Sequence, residues 1–125
     1  MNIIIDGYNL MYCMKLKGDS SQKKRENLIN ELQQFYNVNH GNIIVIFDGY
    51  TNVSEHKSME KTGDIKIVYS AGKQTADDVI IDMIKNRKTK AKNTLLITSD
   101  RKLKDFASAN GIKTMDSGSF AEYFE

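Results

Sequence analysis

The sequence predicts an α/β fold in which helices cover both faces of a central parallel sheet. Short apolar runs rich in Ile and Val alternate along the chain with longer segments of helical periodicity. The runs are apolar throughout rather than at alternate residues, which is typical of strands buried on both faces. The chain has 125 residues and contains no repeat, linker or low-complexity tail, so we expect one domain over residues 1–125.

Five apolar runs predict the strands, at residues 2–5, 43–47, 65–69, 94–98 and 112–115. Asp6-Gly7 ends the first strand, Asp48-Gly49 ends the second and Ser99-Asp100 ends the fourth. In open parallel sheets, the functional crevice lies outside the carboxyl ends of the strands. The sequence therefore places acidic residues where such a crevice is expected.

The helices are predicted over residues 22–36, 76–87 and 101–110, with a short last turn at 119–124. Ser20 or Ser21 can cap the first of these helices and Thr75 the second, while Gly111 stops the third. Polar and charged residues predict a mobile loop over 50–64 and a further loop over 15–21.

Bulk composition favours a cytoplasmic protein. No apolar run approaches the ~20 residues that cross a membrane, so we expect no membrane association. Asp6 comes too early for a secretory signal, and a single cysteine, Cys13, excludes an internal disulfide framework.

Five aspartates are expected to share one edge of the sheet. Asp6, Asp48 and Asp100 follow strands, and Asp77 and Asp78 open a helix at the same edge. Gathering carboxylates costs free energy through mutual repulsion, which a divalent cation offsets. Mg²⁺ and Mn²⁺ prefer oxygen ligands, and such an ion can activate water and stabilise the oxygens of a phosphodiester under attack.

The charge outside this cluster suits a polyanionic substrate. Setting the five aspartates aside leaves 11 of the 16 acidic residues against 18 Lys and Arg, an excess of +7 in a chain of net charge +2. A basic body around an acidic site fits nucleic acid that is processed with a metal. A Lys-rich surface equally serves solubility, so charge alone leaves both interpretations open.

Other interpretations remain for the aspartates. An Asp after a strand is a common turn or cap residue, and Asp77 and Asp78 also suit the first turn of any helix. A receiver or phosphatase-like phosphoacceptor domain also has acids at strand ends. A receiver would need an acidic pair after its first strand and a lysine after its last, but only Asp6 follows the first strand and Lys113 falls within the last.

Four segments in this order resemble the NYN domains: Ile-Ile-Asp-Gly-Tyr-Asn at residues 4–9, Phe-Asp-Gly at 47–49, Thr-Ala-Asp-Asp-Val-Ile at 75–80 and Thr-Ser-Asp at 98–100. The sequence is most similar to the YacP-like branch, bacterial predicted endoribonucleases related to the PIN and FLAP nucleases. The resemblance implies a three-layer PIN-like fold whose five strands lie in the order 3-2-1-4-5. It also implies Mg²⁺- or Mn²⁺-dependent RNA cleavage, and a link to ribosomes.

The resemblance also implies site residues. Asp6, Asp77 and Asp100 are expected to be catalytic and to bind metal, with Asp78 as a further ligand. The expected supporting pocket residues are Asn9, Asp48, Thr98 and Ser99. A non-catalytic RNA-binding module of the same fold, and the toxin type of PIN ribonuclease, are the remaining alternatives.

RNA is expected to be single-stranded at the site, where bases can unstack and stack on aromatic rings. Tyr8, Tyr12 and Tyr50 lie beside the site in sequence, although Tyr8 and Tyr12 equally suit the core. Lys57, Lys61 and Lys73, in loops at the site edge, can hold phosphates. The resemblance adds the basic start of a helix to the RNA path, at Lys23, Lys24 and Arg25.

Overall fold

A computed structural model describes residues 1–49, 58–86 and 91–124. The strands are β1 (Asn2–Asp6), β2 (Asn42–Phe47), β3 (Ser58–Thr62), β4 (Ile65–Tyr69), β5 (Thr94–Ile97) and β6 (Lys113–Met115). The helices are α1 (Gly7–Cys13), α2 (Ser21–Asn39), α3 (Ala76–Lys85), α4 (Arg101–Ala109) and α5 (Ser117–Ala121). Single 3₁₀ turns lie at Ala91–Asn93 and Glu122–Phe124.

The strands form one sheet in the order β3-β4-β2-β1-β5-β6. All neighbours are parallel except β3 and β4, which are antiparallel. The five parallel strands have the predicted order, so the α/β fold with a PIN-like sheet is confirmed. The difference is the additional edge strand, β3.

The prediction of a loop over residues 50–64 was wrong at Ser58–Thr62. All five residues of β3 are exposed, because the strand lies at the edge of the sheet and is held there by its pairing with β4. An exposed edge strand has no buried face, and therefore no apolar pattern marks it in the sequence. Residues 50–57 of the predicted loop lie outside the described residues.

Helix α1 is also absent from the sequence prediction, although it holds two residues of the expected site. It begins directly after β1 and buries Leu10 and Met11. Asp6 precedes it without a capping hydrogen bond from its side chain, so no cap signal is present. Gly7 is required there because a Cβ atom would lie 2.5 Å from the ring of Phe47.

Two apolar cores sandwich the sheet. One core joins α1, α2 and α5 to one face, and the other joins α3 and α4 to the opposite face. Neighbouring residues of a strand enter different cores, as Ile4 and Ile5 of β1 do. This arrangement explains why the strands read as continuous apolar runs.

The predicted helix signals are borne out. The side chain of Ser20 accepts a hydrogen bond from the amide of Lys23 and caps α2, which extends to Asn39 rather than residue 36. Thr75 caps α3, and Gly111 follows α4 with a φ of +78°. In the part of the chain that is described, no helix combines the length and apolar character needed to cross a bilayer.

Candidate functional site

Four aspartates lie at the carboxyl edge of the sheet, where the central strands end and α3 and α4 begin. Asp6 ends β1, Asp48 follows β2, Asp77 lies in the first turn of α3 and Asp100 precedes α4. Asp6, Asp48 and Asp77 line a common pocket of about 280 Å³. Asp100 adjoins it, since its charge acts on Asp6 and Asp77.

Asp6 is the most deeply placed of these acids, at 9% exposure. Its pKa is raised to about 6, chiefly by burial and also by the charges of Asp77, Asp48 and Asp100, while the hydrogen bond from the hydroxyl group of Thr98 acts in the opposite direction. Desolvation and like charges both disfavour an ionised carboxyl group. The pocket therefore gathers negative charge at a stability cost in the absence of a cation.

The pKa of Asp77 is raised for the same reasons. Burial is the largest cause, followed by the charges of Asp100, Asp48 and Asp78 and by a hydrogen bond with the carboxyl group of Asp100. The carboxyl groups of Asp77 and Asp100 therefore lie near each other at the edge of the pocket.

Thr98 connects two of the acids through one hydroxyl group. It is fully buried, and its Oγ1 donates to Oδ2 of Asp6 over 3.0 Å. The same Oγ1 accepts a hydrogen bond of 3.1 Å from the amide of Asp100, whose Oδ1 in turn accepts from the amide of Leu103 over 3.0 Å. The positions of Asp6 and Asp100 are thereby linked across the ends of β1 and β5.

Asn9 ties α1 to the loop that carries Asp100. Its Oδ1 accepts from the amide of Ser99 over 2.7 Å and from Oγ of Ser117 over 2.6 Å, and the amide of Ser117 donates to Oγ of Ser99 over 3.1 Å. Sequence reasoning missed Ser117, although it follows a strand, β6, as the aspartates follow theirs. Ser99 and Asn9 thus support the pocket through contacts with each other and with Ser117.

Asp48 lies over the start of α3. Its Oδ1 accepts a hydrogen bond of 2.5 Å from the amide of Ala76. The next residue, Gly49, donates its amide to Oγ of Ser70 over 2.9 Å, and a Cβ atom at Gly49 would lie only 2.0 Å from the carbonyl oxygen of Ser70. The close approach of the chain after β2 therefore requires glycine and directs Asp48 towards the pocket.

Asp78 lies apart from the pocket. It is exposed, and it forms a capping box in which its amide donates to Oγ1 of Thr75 over 3.1 Å and its Oδ2 accepts from the amide of Thr75 over 3.0 Å. Its side chain lines an open groove together with Lys73, rather than the pocket of Asp6. Asp78 therefore acts on the site through its charge on Asp77.

Two tyrosines of α1 border the acids. Tyr8 and Tyr12 both line the acidic pocket, and their rings stack with centroids 6.4 Å apart. Tyr12 is 79% exposed, whereas Tyr8 is half-buried with its ring edge-on to Phe47 at 4.9 Å. Tyr8 therefore combines the two predicted roles, core packing and a position beside the site.

The basic residues divide into two groups. Lys23 and Lys24 are exposed in the first turn of α2, with Lys23 3.7 Å from Glu26. Arg25 is half-buried, and its Nη1 donates to the hydroxyl group of Tyr8 over 3.0 Å, which joins α2 to the tyrosines of the pocket. Lys57, and with it Tyr50, lies outside the described residues.

The donor set of the pocket fits a hard divalent cation. Four carboxyl groups within range of one another's charge, one of them buried, are the ligands that Mg²⁺ and Mn²⁺ prefer. As the side chains are placed, no group of three acidic, His or Cys side chains in the described ranges surrounds a single metal position. The fit therefore rests on the chemistry of the donors.

An acidic pocket at the carboxyl edge of a PIN-like sheet defines a nuclease-like α/β domain. The chain belongs to the YacP-like NYN domain family, whose model matches residues 3–125. No curated protein matches the sequence.

Two solved structures share the fold. A mutant of Rae1 (YacP) from Bacillus subtilis aligns with a TM-score of 0.76 and 20% identity, covering 98% of this chain and 74% of that chain. A second structure of Rae1 (YacP) from the same organism gives a TM-score of 0.75 and 18% identity, covering 99% and 73%. The family and the fold together indicate an RNA-processing, nuclease-like domain.

Proposed function

We propose that this protein is a metal-dependent endoribonuclease that cleaves single-stranded RNA. The observation that carries the proposal is the gathering of the carboxyl groups of Asp6, Asp48, Asp77 and Asp100 at one edge of the sheet, beside the stacked tyrosines. A structural role does not account for them, because burial and like charge make ionised carboxyl groups unfavourable there.

The acids of the pocket would hold Mg²⁺ or Mn²⁺. Asp6, Asp77 and Asp100 are the proposed ligands, with Asp48 as the fourth acid and Asp78 as the outer one that also caps α3. When bound, the ion supplies a water molecule of lowered pKa and stabilises charge on the phosphodiester oxygens. The hydroxyl group of Thr98 fixes the orientation of the carboxyl group of Asp6, as the outer hydrogen-bond partners of metal ligands do.

The surroundings of the pocket favour an unpaired RNA strand. The stacked and exposed ring of Tyr12, with Tyr8 behind it, offers a face on which a base can stack. Lys23 and Lys24 place positive charge at the start of α2, where they can contact phosphates, and Lys73 borders the neighbouring groove. A paired helix would keep its bases away from these rings.

The leading alternative is an RNA-binding domain without catalysis. The acids oppose this alternative, since a pure binder gains nothing from carboxyl groups that repel phosphate. A phosphoacceptor receiver domain is opposed by the residues around the pocket, because Asp6 is followed by Gly7 rather than by a second acid, and Lys113 lies within β6 instead of after it.

The test is incubation with end-labelled linear RNA, circular RNA and DNA, each in Mg²⁺, in Mn²⁺ and in excess EDTA. We expect cleavage of both RNAs with either ion and none in EDTA, and cutting of the circle identifies an endonuclease because the circle has no ends. Cleavage that persists in EDTA would rule out the metal-dependent mechanism. Binding without cleavage under every condition would establish the non-catalytic alternative.

A further inference from the structure

A second pocket lies between α2 and the β3–β4 edge of the sheet, and two of its lining residues, Arg25 and Phe47, contact Tyr8. Its volume is about 450 Å³, within the range of roughly 300–1,000 Å³ that is usual for small-molecule sites. Its apolar floor is made by Ile29, Phe47 and Ile67, which are buried. We call it the α2–β4 pocket.

The α2–β4 pocket is connected to the acidic pocket by a chain of direct contacts. Tyr8 lines the acidic pocket, while its ring meets Phe47 at 4.9 Å and its hydroxyl group accepts the hydrogen bond from Arg25. Phe47 in turn stacks on Tyr69 at 5.7 Å. A strand of RNA that passes Tyr8 on its way from the acids therefore reaches the α2–β4 pocket next.

The rim of the pocket is polar and contains both signs of charge. Arg25 and Tyr69 lie beside Glu26 and Glu60, with the amides of Gln22 and Asn30 nearby. Glu26 faces Lys23 at 3.7 Å, whereas Glu60 has no ion pair among the residues that the structure describes. Two carboxylates against one guanidinium group repel a phosphate, so the rim suits a base rather than the RNA backbone.

An apolar floor with a rim of carboxylate, guanidinium and amide groups fits a nucleobase that has adjacent donors on one edge and adjacent acceptors on another. Guanine meets this condition, because a carboxylate can accept from its N1–H and N2–H₂ groups while Arg donates to its O6 and N7. Adenine, cytosine and uracil each lack the paired donors that a carboxylate needs.

We propose that the α2–β4 pocket binds an unpaired guanine of the RNA substrate, with Glu60 accepting from its donor edge and Arg25 facing its acceptor edge. The inference takes its substrate class from the ribonuclease proposed above. It assigns this protein a base preference at a nucleotide that flanks the cleaved bond, set by residues outside the acidic pocket.

The first arm of the test measures binding without cleavage. The ¹⁵N-labelled protein is titrated in EDTA with GMP, AMP, CMP and UMP, which differ only in the base, and amide shifts are followed by NMR. We expect GMP to shift amides of α2 and β4 and to bind about tenfold or more tightly than the others. Equal affinity for the four nucleotides would overturn the proposal.

The second arm uses matched variants. Glu60 is exposed, so Glu60→Gln leaves the fold intact, and we expect it to weaken GMP binding about tenfold while AMP binding is unchanged. Glu31→Gln is the control, since Glu31 lies on α2 outside the pocket. An unchanged preference for GMP in Glu60→Gln would show that this carboxylate does not read the base.

The third arm measures cleavage of RNAs that carry a single guanosine, and of the same RNAs with inosine, which lacks the 2-amino group. We expect inosine to lower kcat/KM about tenfold for the wild type and to have little effect in Glu60→Gln. Cleavage that does not depend on guanosine would support the ribonuclease activity and overturn the guanine site. Selective GMP binding without cleavage of any RNA would support the guanine site and overturn the ribonuclease activity.

Discussion

On the β5 side of the acidic pocket, the carboxyl group of Asp6 and the backbone amide of Asp100 are both hydrogen-bonded to the hydroxyl group of Thr98, whereas on the α3 side Asp77 lies beside the like charges of Asp100, Asp48 and Asp78. On the β5 side, neutral hydrogen-bond donors therefore fix the positions of the acids. The α3 side brings an acid whose ionised form is disfavoured by burial and by the neighbouring carboxyl groups. The difference indicates that a cation, by offsetting this repulsion, would matter most to the α3 side.

The largest effect is expected on the α3 side. Asp77→Asn removes the carboxylate proposed to bind the ion, and we expect RNA cleavage in Mn²⁺ to fall by about a hundredfold or more, since even indirect partners of a metal site contribute about 10- to 100-fold. Because burial and like charge disfavour the ionised carboxyl group of Asp77 in the folded protein, the melting temperature of the variant in EDTA should not fall. Cleavage assays and thermal melts measure the two outcomes.

Asp82→Asn is the matched control for this variant. Asp82 lies on the same helix, is exposed and does not line the acidic pocket. Its cleavage rate should equal that of the wild type. Wild-type activity of Asp77→Asn, or an equal loss in both variants, would contradict the assignment.

The β5 side is tested by Thr98→Val, which keeps the shape of the side chain and removes its hydroxyl group. Asp6 then loses a donor, and the amide of Asp100 loses its acceptor in a buried position. We expect cleavage to fall about 10- to 100-fold and the free energy of unfolding to fall by about 1–3 kcal/mol.

Thr114→Val, on the neighbouring strand β6, controls for the loss of a threonine hydroxyl group at a half-buried position. A rate for Thr98→Val within twofold of the Thr114→Val rate would show that the hydroxyl bridge does not position the acids.

Asp6 gives a prediction about pH. Its pKa rises from 3.8 to about 6 on folding, so the folded state binds the proton more tightly and metal-free stability falls as the pH rises between these values. Asp6→Asn removes this cost. In EDTA, we expect it to add about 1–3 kcal/mol to the free energy of unfolding at pH 7 and little at pH 3.5. Urea denaturation at both pH values measures the difference. An equal change at both would show that the ionisation of Asp6 is not the cause of the change in stability.

The same contrast explains what the sequence could reveal. The β1, β2 and β5 strands are buried on both faces, so continuous apolar runs marked them, and the aspartates after them could be assigned to one edge of a parallel sheet. The structure brings Asp6, Asp48 and Asp77 into one pocket, with Asp100 beside it. Element type and order therefore sufficed to predict where the acids converge.

Side-chain contacts between distant elements left no such pattern. Ser117 meets Asn9 across 108 positions of the chain, and Arg25 meets Tyr8 only because α2 packs beside α1. Strand β3 is fully exposed, and α1 starts at a glycine without a capping side chain. These features arise from tertiary packing, which a local pattern of residues does not encode.

The smallest effect is expected at Ser117, which contacts the β5 side through Asn9. Ser117→Ala removes one of two hydrogen bonds to Oδ1 of Asn9 and leaves the bond from the amide of Ser99 in place. We expect a loss of about 1 kcal/mol in stability and a change of a few-fold in cleavage, against no change in Ser119→Ala, whose residue is exposed on the same helix. If Ser117→Ala reduced cleavage as much as Thr98→Val, Asn9 rather than Thr98 would be the residue that fixes the β5 side.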